Sequence, residues 1–226
     1  MELTNKHIAK FFGYQFEDLS LLNLALTHRS AAKQHNERLE FLGDAVLGMV
    51  VADWLYENFP KEPEGKLTRM RASLVKGETL AKIAQENQLG DLIALGSGEM
   101  KSGGHRRASI LADVVEALLG AIYLESGLEQ TRAVIVKLLA SRMSALDPNA
   151  HPKDFKTRLQ EYLQSRKQPL PVYEVVNIHG QDHAQTFTVS CVIESLNSKI
   201  EGSGPSRRRA EQQAAEFAIA KIEEAK

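Results

Sequence analysis

The spacing of apolar residues changes once along the chain, and this change constrains the fold more than any other feature. Up to about residue 146, apolar residues return every three or four positions, as in "RLEFLGDAVLGMVVADWLYENF" and "ASILADVVEALLGAIYLESG", which is typical of amphipathic helices. Later, "VYEVVNI", "TFTVSCVI" and "SKIEGSG" have the composition and short length of strands. We therefore expect two domains with different folds.

The segment "DPNAHPKD" lies where the pattern changes. Its two prolines and few apolar residues predict an interdomain linker over residues 147–153. Residues 1–146 then form an all-α domain, in which the glycine-rich "GSGEMKSGGHRRAS" predicts a loop. Residues 154–226 form a small α+β domain of order α-β-β-β-α, because "KTRLQEYLQSR" and "SRRRAEQQAAEFAIAKIEEA" predict helices before and after the strands. Both helices are expected on one face of the sheet.

Several classes of protein are disfavoured by the composition. A single cysteine, Cys191, cannot form an internal disulfide, which suits a reducing cytoplasm. We find no secretory signal, and no apolar run approaches the roughly 20 residues that span a bilayer, so we expect a cytoplasmic protein with no membrane partner. With 28 Lys and Arg against 29 Asp and Glu, any contact with nucleic acid depends on locally placed charges.

The stretch "NERLEFLGDA" places three carboxylates on one stripe of a helix. Glu37, Glu40 and Asp44 fall within roughly 60° of one another at 100° per residue. Like charges at this spacing destabilise an isolated helix, and a solvated polar face is the simplest explanation for them. The opposite, core-facing side is expected to consist of Leu39, Leu42, Ala45, Val46 and Met49.

A second helix changes this interpretation. In "ILADVVEALLGAIYL" the only charged side chains are Asp113 and Glu116, which share one face of an otherwise apolar helix. Ionised carboxylates in a buried helix need partners. Ion pairs could supply them, and the candidate arginines are Arg38, Arg69 and Arg71.

A bound cation is the alternative to ion pairs. Ligation by oxygen alone, with no nearby cysteine or paired histidine, favours Mg²⁺ or Mn²⁺ over zinc. One or two such ions suit the hydrolysis of phosphodiesters. No Gly-x-Ser-x-Gly or Walker motif supports another chemistry. The four carboxylates that packing of the two helices would bring together are Glu40, Asp44, Asp113 and Glu116.

The last helix begins with "SRRRAEQQ", in which Ser206 is a good N-cap. Three arginines at the positive end of a helix dipole each cost roughly 0.3–1 kcal/mol, unless an anion such as phosphate binds there. A solvated arginine cluster remains the alternative. The first helix of this domain and the "GQDHA" loop carry polar side chains that could reach the minor groove of double-stranded RNA; on the helix these are Thr157, Gln160 and Glu161.

Taken together, these segments resemble one known family across essentially the whole chain. "NERLEFLGD" resembles the ribonuclease III signature, and "ILADVVEALLGAIYLESG" is similar to its second acidic segment. "THRS" and "PEGKLTRMRASLV" fit the same family, and "LQEYLQ…GSGPSRRRAEQQAA" resembles a double-stranded-RNA-binding domain. The resemblance implies a helical endonuclease domain that forms a homodimer and cleaves double-stranded RNA with Mg²⁺, leaving 5′-phosphate and 3′-hydroxyl ends. Processing of ribosomal RNA precursors and of messenger RNA is the expected role.

The resemblance also implies roles for individual residues. Glu40, Asp44, Asp113 and Glu116 match the metal-binding acids, and Asp44 and Glu116 match the residues expected to act most directly in catalysis. Glu37 and Glu64 match peripheral acids of the valley that holds RNA, and Phe41 matches a dimer contact. The matching RNA contacts of the second domain are Thr157, Gln160, Glu161, Asp182, His183, Ser206, Arg207 and Arg208.

Two functions from other classes compete with this expectation. A non-catalytic RNA-binding protein could use the helical domain only to dimerise, but the four matching acids disfavour it. A helical metal phosphohydrolase could act on free nucleotides, but a second domain of the RNA-binding type disfavours that. Incubation with long duplex RNA in Mg²⁺ and in EDTA separates these possibilities.

Overall fold

A computed structural model describes residues 1–150, 154–180, 185–194 and 198–224. The chain divides into two compact units, Met1–His151 and Pro152–Lys226. Within the described ranges, no helix is both long enough and apolar enough to cross a membrane.

The first unit is helical. Two short 3₁₀ turns, Leu89–Leu92 and Gly104–Arg106, connect some of its helices. The helices are α1 (Glu2–Phe12), α2 (Leu19–Ala25), α3 (Glu37–Asn58), α4 (Glu64–Val75), α5 (Gly77–Glu86), α6 (Ser97–Lys101) and α7 (Ala108–Ser144). Helix α7 is broken at Gly127, whose φ of 76° lies in the left-handed region that glycine adopts without steric cost.

Helix α7 forms the centre of the first unit, and α3 packs along it. Val114, Val115 and Leu118 of α7 are completely buried, and so is Leu47 of α3. Burying a side chain of this size stabilises a fold by about 1.5–3 kcal/mol. The strongly apolar first half of α7 is therefore explained by burial on nearly all sides, and a charged residue there needs a specific reason.

The backbones of α3 and α7 come into contact at two glycines. A Cβ atom placed on Gly43 would lie 1.8 Å from the carbonyl oxygen of Glu116. A Cβ atom on Gly120 would lie 2.2 Å from the carbonyl oxygen of Leu39. Only glycine fits at such a close approach, so these two positions determine where the helices cross.

Two expectations for the first unit are wrong. Ala45 and Met49 were expected to face the core, but both are exposed, because α3 turns Gly43 toward α7 and its buried face is shifted accordingly. The glycine-rich segment expected as a loop contains α6 and the 3₁₀ turn at Gly104–Arg106. An ion pair at 2.7 Å between Glu99 and Arg107 joins the two ends of that segment.

The second unit has the expected α-β-β-β-α order. It consists of α8 (Phe155–Ser165), β1 (Val172–His179), β2 (Thr186–Ile193), β3 (Ser198–Gly204) and α9 (Arg207–Glu224). The strands form an antiparallel sheet in the order β1-β2-β3. Both helices pack on one face of it, in a core formed by Leu159, Leu163, Cys191, Ile193, Ile200, Ala214, Ala215, Ala218, Ile219 and Ile222. The fold class predicted from the sequence is confirmed.

Candidate functional site

Three of the four predicted metal ligands lie together where α3 crosses α7. Glu40 of α3 and Asp113 and Glu116 of α7 each offer a carboxylate oxygen, and these oxygens all lie within 4.8 Å of one another. All three side chains are partly buried. The three-residue spacing on α7 places two acids on one face, and the glycine contact brings the third close to them.

The electrostatics of this cluster disfavour three ionised carboxylates without a cation. Burial, together with the smaller effect of the charges of Asp44, Asp113 and Glu40, raises the pKa of Glu116 to about 8. Burial also raises the pKa of Glu40, with further contributions from Asp113, Glu37 and Asp44. Carboxylates that repel one another in this way are stabilised either by a proton or by a cation.

Asp44 lies one helical turn beyond Glu40 and is more exposed than the other three acids. It is outside the group whose oxygens approach within 4.8 Å. Its charge nevertheless contributes to the raised pKa values of both Glu116 and Glu40. Asp44 is therefore positioned at the edge of the cluster, on its solvent side.

Two basic residues close to the cluster, His28 and Arg29, were not among the predicted site residues. His28 and Arg29 lower the pKa of Asp113, and Arg29 also lowers that of Glu40, but burial dominates and both pKa values remain raised. Both residues follow Thr27, which pairs with Ala94 in an isolated β-bridge. The largest influences on the pKa of Glu116 after burial are carboxylates, which disfavours the alternative explanation by ion pairs with arginines.

A cleft of about 460 Å³ opens beside the cluster. Arg29 and Glu37 form an ion pair at 3.3 Å within it, and Arg107 and Glu99 form another at 2.7 Å. The cleft is lined by His28, Arg29, Asn36, Glu37, Glu40, Glu99, Arg107, Ser109, Ile110 and Asp113. Carboxylate oxygens are the donors that Mg²⁺ and Mn²⁺ prefer, so this donor set fits such an ion.

The remaining predicted residues of the first unit lie on its surface. Glu64 is exposed at the start of α4, and its carboxylate accepts a hydrogen bond of 2.6 Å from the hydroxyl of Thr68. Phe41 is 80% exposed, so it is not a core residue of this unit. Glu37 is exposed at the first position of α3.

In the second unit, four of the predicted RNA contacts line one depression of about 580 Å³. These are Thr157, Gln160, Arg207 and Arg208. The hydroxyl of Ser206 accepts a hydrogen bond of 3.3 Å from the backbone N–H of Arg209, as expected for an N-cap. Glu161 lines a different depression, and Asp182 and His183 lie outside the described residues.

Comparison with known families gives a match for each unit. Residues 18–143 match the family described as Ribonuclease-III-like. Residues 155–222 match the double-stranded RNA binding motif. The two matches follow the same order as the two compact units.

Individual proteins and structures are similar over long stretches. Ribonuclease 3 from Vibrio vulnificus is 56% identical over 215 residues, which cover 95% of this chain and 96% of that protein. A crystal structure of the nuclease domain of ribonuclease III from Campylobacter jejuni is 43% identical, with a TM-score of 0.60, and the match covers 63% of this chain and 97% of that one. A second structure of that domain, described for flexibility in a region involved in dimer formation, matches with the same identity and TM-score over 62% and 98%.

Proposed function

The chain belongs to the ribonuclease III family and is a double-stranded-RNA endonuclease, and we propose that it hydrolyses its substrate with Mg²⁺ bound at the α3–α7 crossing. The products are 5′-phosphate and 3′-hydroxyl ends. Residues 1–146 act as the nuclease domain, residues 154–226 bind the duplex, and residues 147–153 link them. The observation that supports this most strongly is the group of three carboxylates whose oxygens lie within 4.8 Å of one another.

Glu40, Asp113 and Glu116 would hold the metal, and Asp44 would complete the site from its solvent side. A bound Mg²⁺, or Mn²⁺ in its place, lowers the pKa of water and stabilises negative charge on phosphate oxygens. Asp44 and Glu116 act most directly in catalysis. The raised pKa of Glu116 means that binding of a cation displaces a proton from this group near neutral pH.

Glu37 and Glu64 act at the periphery of the site. Glu37 holds Arg29 at 3.3 Å beside the cleft, which keeps a positive charge next to the acids. Glu64 is exposed at the start of α4, where its carboxylate is available to an outer metal shell or to bound RNA. Neither residue is expected to be as important for catalysis as the four central acids.

The second unit binds the RNA backbone and minor groove. Thr157 and Gln160 of α8 share a depression with Arg207 and Arg208 of α9, so hydroxyl, amide and guanidinium donors face one surface. Such donors suit 2′-hydroxyl groups and phosphates of an A-form duplex. Ser206, Glu161, Asp182 and His183 are included in the proposed contact surface.

The active form is a homodimer. Phe41 is 80% exposed, Met49 is 49% exposed and Tyr56 is 75% exposed, and Ala45 lies exposed between the first two. Their spacing along α3 forms an apolar stripe beside the acids, which a second copy of the chain would cover. The Campylobacter jejuni nuclease domain is described as having a region involved in dimer formation, which supports this assignment.

Ribosomal RNA precursors and structured messenger RNA in the cytoplasm are the proposed substrates, because they contain the long duplex segments that the second unit would select. The function is tested by incubating the protein with a long duplex RNA and with a single strand of the same sequence. We expect cleavage of the duplex alone, in Mg²⁺ but not in EDTA, with product ends that a 5′-phosphate-dependent exonuclease degrades. Binding of the duplex without cleavage in Mg²⁺ would indicate a non-catalytic RNA-binding protein. Preferential hydrolysis of free nucleotides in a competition assay would indicate a nucleotide phosphohydrolase.

A further inference from the structure

Glu211 of α9 is nearly buried and forms ion pairs with two basic side chains. Its side chain is only 11% exposed. One carboxylate oxygen accepts a hydrogen bond of 2.9 Å from Nε of Arg207, and the other accepts one of 2.6 Å from Nζ of Lys156. Because Lys156 belongs to α8 and Arg207 to α9, this carboxylate joins the starts of the two helices that carry the proposed RNA contacts.

The carboxylate of Glu211 stays ionised at neutral pH. Burial raises its pKa, but hydrogen bonds from Lys156 and Arg207 outweigh burial, so the pKa lies below its ordinary value. Lys156 is further fixed because its ammonium group lies 4.6 Å from the centre of the Tyr173 ring, within the range of a cation–π interaction. Lys156 is therefore held from two sides, and it lines the same depression as Thr157 and Gln160.

Arg207 differs from Lys156 because its side chain remains 64% exposed. A guanidinium group held through Nε keeps the edge formed by its two Nη nitrogens for a second oxyanion. Arg207 also lines the depression that contains Thr157, Gln160 and Arg208. A phosphate bound in that depression would contact Arg207, whose side-chain rotamer is already fixed by Glu211.

A buried carboxylate beside a phosphate-binding surface needs an explanation, because it would repel the ligand. We propose that Glu211 is a positioning residue for RNA binding: it holds Arg207 through Nε, so that the Nη edge is presented to a phosphate of the duplex. The proposal rests on the proposed role of this surface in binding RNA. Holding the arginine in place reduces the side-chain entropy that is lost when RNA binds.

A double-mutant cycle tests the coupling between the two residues. E211Q keeps the shape of the side chain but removes its charge and one acceptor oxygen. We expect E211Q to weaken binding of duplex RNA by roughly fivefold to tenfold in the otherwise unchanged protein, with kcat at saturating RNA unchanged. In an R207Q background the same substitution should weaken binding less than twofold.

R208Q is the matched control background. Arg208 lines the same depression, but Glu211 binds its neighbour Arg207, so the full effect of E211Q should persist with R208Q. An equal weakening by E211Q in the R207Q and R208Q backgrounds would show that Glu211 acts only through stability. Tighter binding by E211Q would show that the carboxylate opposes RNA binding, and either result overturns the proposal.

R207K is a second variant, which leaves Glu211 in place in case E211Q unfolds the domain. Lysine has one nitrogen and no planar second edge, so R207K should lose nearly as much affinity as R207Q, whereas R208K should retain most of it. Full affinity of R207K overturns the proposal. If the unchanged protein neither binds nor cleaves duplex RNA, the proposed function fails; if it does both while R207Q binds normally, only the present proposal fails.

Discussion

At the level of single residues, the glycines at the α3–α7 crossing are as important to the candidate site as the acids themselves. Gly43 and Gly120 each place a backbone where a side chain would otherwise keep the helices apart. Glu40 and Glu116 belong to different helices, so the distance between their carboxylates depends on this contact. Loss of either glycine would separate the proposed metal ligands without removing any of them.

G43A tests the close approach of the two helices. The new methyl group would lie 1.8 Å from the carbonyl oxygen of Glu116, so the helices must move apart. We expect the free energy of unfolding to fall by about 3 kcal/mol or more, and Mg²⁺-dependent cleavage to be lost. Chemical denaturation and a duplex-cleavage assay measure the two effects.

G48A is the matched control on the same helix. A Cβ atom on Gly48 meets nothing within 4 Å, so this substitution should leave cleavage unchanged and stabilise the protein by roughly 0.5–1 kcal/mol through its higher helix propensity. Normal stability and activity of G43A would contradict the assigned crossing.

Glu116 provides a second test at this scale, through the stability of the metal-free protein. The pKa of Glu116 is about 8 in the folded protein, compared with an ordinary value of 4.5. Its ionisation therefore begins to destabilise the fold as the pH rises above 4.5, and the destabilisation is complete above about pH 8. In EDTA we expect E116Q to melt at a higher temperature than the unchanged protein, by an amount that grows from about pH 5 to about pH 8. Adding Mg²⁺ should stabilise the unchanged protein and have little effect on E116Q. A melting temperature of E116Q below that of the unchanged protein in EDTA at pH 8 would contradict the repulsion inferred here.

At the level of whole elements, helix α3 has three functional faces. One face is buried against α7, one carries the acids, and one carries the exposed apolar stripe that includes Phe41 and Tyr56. The proposed dimer contact therefore lies on the same helix as half of the proposed metal site. Disruption of the proposed dimer would disturb the acids through this shared helix.

F41E tests the dimer. A carboxylate in place of a side chain that is 80% exposed should leave the fold of the single chain intact, while it introduces an unpaired charge into the proposed interface. We expect a monomer in sedimentation analysis and a large loss of cleavage. L3E on α1, where Leu3 is 82% exposed, should remain dimeric and active. A dimeric F41E protein would exclude this stripe as the interface.

Much of the element structure could be predicted from the sequence, because helices and strands depend on local periodicity. The pairing of Asp113 with Glu116 on one face was predicted for the same reason. The close crossing at Gly43 was not, because it depends on which faces of two distant helices meet. For the same reason Ala45 and Met49 were wrongly expected in the core. The proximity of Arg29 to the acids was not predicted either, because it depends on long-range contacts such as the ion pair between Arg29 and Glu37.

At the scale of the whole molecule, catalysis of RNA cleavage and affinity for RNA are proposed to reside in different units. The carboxylate cluster belongs to Met1–His151, and the arginine-lined depression belongs to Pro152–Lys226. Neither the charge of the complete chain, −1, nor its composition indicates this division. Binding and cleavage should therefore respond separately to substitutions.

Truncation after Ala150 tests whether affinity for RNA and cleavage of RNA reside in different units. This end point keeps the 2.9 Å hydrogen bond between Lys66 and Asn149. The shortened protein loses the proposed phosphate contacts, whose contribution falls as salt rises. We expect it to bind duplex RNA much more weakly at physiological salt and still to cleave at low salt with Mg²⁺. Unchanged affinity of the truncated protein at physiological salt would refute the role of the second unit.

The most direct test of the central claim, that the carboxylates at the α3–α7 crossing perform the cleavage, is single-turnover cleavage of a duplex RNA by E116Q, with binding measured in parallel. We expect cleavage in Mg²⁺ to slow by roughly a thousandfold or more, while the affinity for the duplex stays within about twofold of the unchanged protein, because the proposed RNA contacts lie mainly in the second unit. E129Q, an exposed substitution further along α7, should cleave at the normal rate. Cleavage by E116Q at a normal rate, or a loss of binding as large as its loss of cleavage, would contradict the assignment.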